Sequence, residues 1–148
     1  MSKKKKIVKR IKKKTKGKPT INSKKCSQDG IEFDSKSELF CYNLLKTNNM
    51  YGLGKLEREP KSYIVVDGFE YMDSKLRPIT IKPDFIDENK GIIIEIKGWA
   101  TPVFGMRWKL FKRYLALNNL QYKLYVVKAT QKDITQAISE IKKEHYGG

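Results

Sequence analysis

The chain has 148 residues, 39% hydrophobic and 11% aromatic, enough to bury one real core and read most simply as a single globular domain. Its 32 Lys and Arg against 16 Asp and Glu give a net charge of +16, which directs attention to polyanionic partners. No apolar run approaches the length of a membrane-crossing helix, Cys26 and Cys41 form neither a metal spacing nor a disulfide framework, and the lone His145 excludes a His-rich zinc site.

The charge is concentrated at one end. Residues 1–25 hold 13 of the basic residues and no acidic one, so the remainder carries only +3. This arm is low-complexity Lys and cannot bury enough apolar surface to fold alone; it is predicted to be disordered. Lys3, Lys4, Lys5, Lys6, Lys9, Arg10, Lys12, Lys13 and Lys14 are its candidate phosphate contacts, each releasing counterions from a nucleic acid. The plainer role is a solvated tail. Ile7-Val8 is the only apolar pair among the first charges, too little for an export signal, so a cytoplasmic location is expected. The expected division is a basic arm, 1–25, and a folded domain, 26–148.

From Gly30 the pattern becomes structured. Ile31 and Phe33 alternate with polar residues as a short extended segment. Ser35 and Glu38 have capping-box spacing, and Leu39-Phe40 and Leu44-Leu45 continue a helix toward Asn48-Asn49. Lys55–Glu59 and Lys61–Val66 read as strands separated at Pro60, followed by turns at Asp67-Gly68 and Asp73-Ser74. Pro78–Ile86 reads as one alternating strand, with Ile79, Ile81 and Phe85 on one side and Thr80, Lys82 and Asp84 on the other.

The stretch Pro83–Gly98 organises the rest. Ile92, Ile94 and Ile96 fall on one side of an extended strand, and Glu95 and Lys97 on the other. An antiparallel return through an even-length turn around Asn89-Lys90 sets Asp84 opposite Glu95. Two facing carboxylates repel, so a cation should lie between them, either Lys97 or a divalent metal. Thr101-Pro102 then starts a helix whose Phe104, Trp108, Phe111 and Leu115 form an apolar stripe, with Lys109, Lys112 and Arg113 on other faces. Tyr122–Val127 is a strand, and Thr130 with Asp133 caps a last helix through Ile134, Ala137, Ile138 and Ile141. An α/β fold with a mixed sheet flanked by helices suits this order.

Pro83-Asp84 followed by Glu95-Ile96-Lys97, in this order of elements, resembles the PD-(D/E)XK nuclease superfamily. The segment Asp29-Gly30-Ile31-Glu32-Phe33-Asp34-Ser35-Lys36-Ser37-Glu38, with the Lys-Gly after the acidic strand, resembles a family of small phage proteins similar to the phage endonuclease I type of junction-resolving enzymes. The resemblance implies a restriction-endonuclease-like αβββαβ core and a site to which the first helix contributes Glu38. It also implies a metal-dependent DNA endonuclease acting on branched DNA such as four-way junctions, working as a homodimer in the host cytoplasm. The open alternatives are a nicking or restriction-like enzyme on duplex DNA, and a DNA-binding accessory protein that does not cut.

Oxygen-rich donors select Mg²⁺ or Mn²⁺. Asp84 and Glu95, with the Ile96 carbonyl and Glu38, are the expected ligands, and Lys97 offsets charge on the transition state. The plain readings are a capping role for Glu38 and surface ion pairs of Asp84 and Glu95 with Lys82 and Lys97. Lys82, Lys109 and Arg113 are further candidate phosphate contacts. No small-molecule cofactor and no membrane partner are expected. Deleting residues 2–18 should weaken DNA binding and flatten its dependence on salt in a titration series; unchanged affinity and slope would make the arm a solubility element.

Overall fold

The structure, a computed structural model, describes residues 24–53 and 61–147. The Lys55–Glu59 strand and the phosphate contacts expected in the arm lie outside them. The described residues form a mixed α/β fold with three helices and four small sheets. In chain order the elements are β1 (Cys26–Gln28), β2 (Ile31–Phe33), α1 (Lys36–Thr47), β3 (Tyr63–Val66), β4 (Phe69–Tyr71), β5 (Ser74–Leu76), β6 (Ile79–Ile81), β7 (Phe85–Asp87), β8 (Ile92–Lys97), α2 (Pro102–Leu117), β9 (Lys123–Lys128) and α3 (Gln131–His145).

Local chemistry explains the helix ends. The Ser35 hydroxyl accepts from the Glu38 amide, Thr101 from Phe104 and Thr130 from Asp133, so each helix has a side-chain cap for an orphan amide. Asn49 and Asn119, at φ 57° and 54°, turn the chain after α1 and α2 in the left-handed region that Asn tolerates. Asp29 and Gly30, both at positive φ, form the two-residue turn of the β1–β2 hairpin.

The main sheet has the order β7-β8-β9, with β7 antiparallel and β9 parallel to β8. It separates two cores. Ile92, Ile94 and Ile96 pack with Phe85, Val127 and the apolar faces of α1 and α3. Ile93 packs on the other face with Trp108, Phe111 and Leu115 of α2 and Tyr63 and Val65 of β3. The second face of β8 is thus polar only at Glu95 and Lys97, whereas the sequence reading set the whole of the apolar contact on one side.

Two further expectations need correction. Pro78–Ile86 is not one strand: β6 pairs with β3, and β7 pairs with β8. The break spans Lys82–Asp84, where Pro83 has no amide to donate and restricts the residue before it. Phe104, expected in the core stripe, is only half-buried, while Trp108, Phe111 and Leu115 are buried. The β1 strand has no counterpart in the sequence reading.

Asp87 fixes the turn between β7 and β8. It is 4% exposed, and one carboxylate oxygen accepts from the amides of Asn89 and Lys90 at 3.0 and 3.1 Å. The other accepts from the Tyr146 hydroxyl at 2.7 Å, which ties the turn to the end of α3. Gly52 lies against this carboxylate, and a Cβ there would overlap it. Three hydrogen bonds pin the acid, so it has no direction in which to yield. Gly52→Ala is therefore expected to destabilise the protein by about 1–3 kcal/mol in urea unfolding; a variant as stable as the parent would show the turn to be adaptable.

Candidate active site

The register of β7 and β8 pairs Phe85 with Ile94, Ile86 with Ile93 and Asp87 with Ile92. Continued by one residue it sets Asp84 opposite Glu95, as the sequence spacing predicts, and by two it sets Pro83 opposite Ile96. The carbonyls of Gly91 and Lys97 accept from Lys123 and Ala129, so the odd-numbered carbonyls of β8 face β9. Ile96 therefore faces β7. A ladder continued to this point would need an amide from residue 83, and Pro83 has none. The Ile96 carbonyl thus receives nothing from the ladder, and the Ile96 amide donates to Asp84 Oδ2 at 2.7 Å. The Asp84 amide donates in turn to Glu95 Oε2 at 3.2 Å. One proline leaves a cluster of polar groups at the end of the sheet.

Lys97 follows Glu95 on the same face, with its ammonium 3.8 Å from Glu95 Oε1 and 4.4 Å from the centre of the Phe104 ring. The cation therefore has one carboxylate and one aromatic face as neighbours, a partly desolvated setting. Glu38 enters from the first turn of α1. Its amide caps on Ser35, and its Oε2 accepts from the Asp34 amide at 3.3 Å. Ser35 caps the helix, but the Glu38 carboxylate accepts from the Asp34 amide and not from that of Ser35, so the expected reciprocal capping box is not closed. Burial first, then the charges of Asp84 and Asp34, push the Glu38 carboxyl up to about 7 against a smaller opposing effect of Lys97. Burial and the Glu95 charge raise Asp84; Glu95 is raised by burial, with Lys97 opposing. Three carboxyls and one ammonium therefore sense one another at the end of β8.

A hard divalent cation suits these donors in kind: Asp84 and Glu95 each commit only one oxygen to a backbone amide, and the Ile96 carbonyl is left by the ladder. In number the fit is incomplete. Among the described residues no three His, Cys, Asp or Glu side chains stand together as a ready metal cage. Glu38 is held toward Asp34 and Glu95 toward the Asp84 amide, so the expected three-carboxylate set is not assembled in these side-chain positions.

Of the expected phosphate contacts on the domain, Lys82, Lys109 and Arg113 are all exposed. Arg107, absent from the sequence reading, donates to the Thr80 carbonyl at 2.8 Å and joins α2 to β6. His145 belongs to a separate cluster, 2.9 Å from the Tyr125 hydroxyl. No helix among the described residues is long and apolar enough to cross a membrane.

Residues 18–132 match the family described as "Protein of unknown function (DUF1064)". The chain belongs to that family. No curated protein and no solved structure matches it. The family's matched span includes Glu38, Asp84, Glu95 and Lys97, and stops within the first turn of α3.

The raised carboxyls set a direction for stability. Glu38 moves from 4.5 to about 7, and Asp84 and Glu95 move the same way, so the folded state retains protons that the unfolded chain has released. These groups favour folding below their unfolded values, and that contribution is lost as pH rises toward 7. The melting temperature without divalent ions is expected to fall between pH 5 and pH 7.5, and Asp84→Asn to flatten that fall. A pH profile identical in the variant would show Asp84 to be solvated.

Proposed function

We propose that the protein is a metal-dependent DNA endonuclease that hydrolyses phosphodiester bonds, with branched DNA as its substrate class. The observation that carries the reading is the half-buried Asp84–Glu95 pair at the broken end of the β7–β8 ladder, with Lys97 beside it. Buried like charges are costly unless something compensates them, and a lone surface role explains neither the burial nor the pairing.

Asp84, Glu95 and the Ile96 carbonyl would hold Mg²⁺ or Mn²⁺, with Glu38 completing the set after leaving the Asp34 amide. Such an ion, when bound, neutralises charge on the phosphate and acidifies a water. The chain's own groups do the rest. Lys97 offers a fixed positive charge to the non-bridging oxygens as negative charge grows on them. The polar cluster lies at a sheet end beside exposed Lys82 and the basic helix α2, where a phosphate backbone can approach it. A four-way junction offers two strands related by approximate two-fold symmetry, so two copies per junction are part of the proposal.

A second reading is a DNA-binding protein that does not cut, favoured by the lack of a ready metal cage among the described residues. One assay separates the two. Incubated with Mg²⁺ or Mn²⁺ and a fixed four-way junction, linear duplex or single strand, the protein is expected to make paired nicks in the junction. Asp84→Asn and Glu95→Gln should each lower cleavage by at least about 100-fold, the scale of losing one electrostatic catalytic group, while junction affinity stays near the parent value. Tight binding with no cleavage by the parent protein under either metal would select the second reading.

A further inference from the structure

Two apolar features of the surface have no role in the chemistry above. The β4–β5 hairpin exposes Phe69 and Tyr71 on one face, but Asp67, Glu70 and Asp73 outnumber Lys75 and Arg77 along it. It is unsuited to a phosphate backbone. The other feature adjoins the candidate site. Trp99, two residues past Lys97, is 75% exposed, and Val103 and Met106 on the first turns of α2 are 58% and 59% exposed.

An indole left this open is unusual, because Trp contributes most when its large ring is covered. Trp108, the other tryptophan, is buried in the second core, so the exposure of Trp99 is not a shortage of room in the fold. Two chain steps from Lys97 limit its Cα to within about 7 Å of the Lys97 Cα. The chain that follows Glu95 is basic. Residues 96–132 contain eight Lys and Arg and no Asp or Glu, and four of the eight lie on α2. Flat aromatic surface within a cationic field is the combination that holds unpaired nucleic-acid bases: the ring takes the base and the cations take the backbone.

We propose that Trp99 is a stacking platform for a base with a free face, at a branch point or bulge of the DNA substrate, next to the scissile phosphate. The proposal rests on the nuclease reading for its substrate and supplies what that reading lacks, a physical means of preferring branched over linear DNA. Duplex bases are already stacked on each other, whereas a base at a branch or bulge has a free face. Trp99 therefore rewards the disrupted helix alone, and the Lys and Arg of α2 attract both forms equally.

The test is equilibrium binding in EDTA, so that no cutting occurs, using a linear duplex and the same duplex carrying an unpaired bulge. The parent protein should bind the bulged DNA more tightly. Trp99→Ala should weaken binding to bulged DNA about tenfold and leave linear-duplex binding within about twofold, while Trp99→Phe retains most of the preference. Tryptophan emission should be quenched by bulged DNA in the parent and much less in Trp99→Phe. Tyr71→Ala on the hairpin should change neither affinity. Three results would overturn the proposal: Trp99→Ala binding both DNAs like the parent, an equal loss on both, or a parent dimer that Trp99→Ala converts to monomer, which would make the patch a self-interface. Each is independent of cleavage with Mg²⁺, so a failure here is distinct from failure of the nuclease reading.

Discussion

The structure depends on β8 being buried on both faces. Ile92, Ile94 and Ile96 serve the core under α1 and α3, and Ile93 serves the core under α2, so one strand carries apolar contact to two layers of helix. Its position is consequently fixed by packing on either side, and whatever projects from its C-terminal end inherits that rigidity. Glu95 and Lys97 project from that end. A site built on a strand locked in this way keeps its geometry better than one on a loop.

The second constraint is a missing hydrogen bond. Pro83 stops the β7–β8 ladder at a point where both strands are still well placed, and the Ile96 amide this releases is taken up by the Asp84 carboxylate. Asp84 and Glu95 consequently have structural duties in addition to any chemical one: each accepts from a backbone amide that would otherwise be unpaired. Their burial disfavours the ionised forms, and the amide bonds and Lys97 only partly oppose this. The end of the sheet is therefore a place where the fold is less stable than it need be, which is common where binding or catalysis sets the requirement.

Much of this was legible because it depends on short-range rules. Ser35, Thr101-Pro102 and Thr130 announce helix starts through cap chemistry, and the alternation of Ile92–Lys97 announces a strand. The even turn fixed Asp84 against Glu95 by parity alone. What alternation could not show was that Ile93 meets a second core, because a strand with one polar face differs from a strand covered twice only in what packs over it. The same limit hid the split of Pro78–Ile86: side-chain periodicity runs on through Lys82-Pro83, but the ladder does not. The Asp29-Gly30 dipeptide carried the signal for the β1–β2 hairpin, and reading it as a turn between Cys26–Gln28 and Ile31–Phe33 would have found that element. The approach of Glu38 to the two strand acids has no short-range signal at all, since it depends on how α1 is seated.

That seating has a consequence for the order in which the molecule can be made. Helix α1 is anchored to the distant end of the chain: it packs on α3, Ser37 donates to the Ala129 carbonyl, and Lys142 donates to Asn48. During vectorial synthesis the strand acids Asp84 and Glu95 can find each other soon after they emerge, since only eleven positions separate them. Glu38, although translated earlier than either, is held locally by Ser35 and Asp34, but its helix gains its packing on α3 only after α3 has left the ribosome. In a chain made from its N-terminus, the meeting of the two strand acids would therefore precede the packing of α1 against α3.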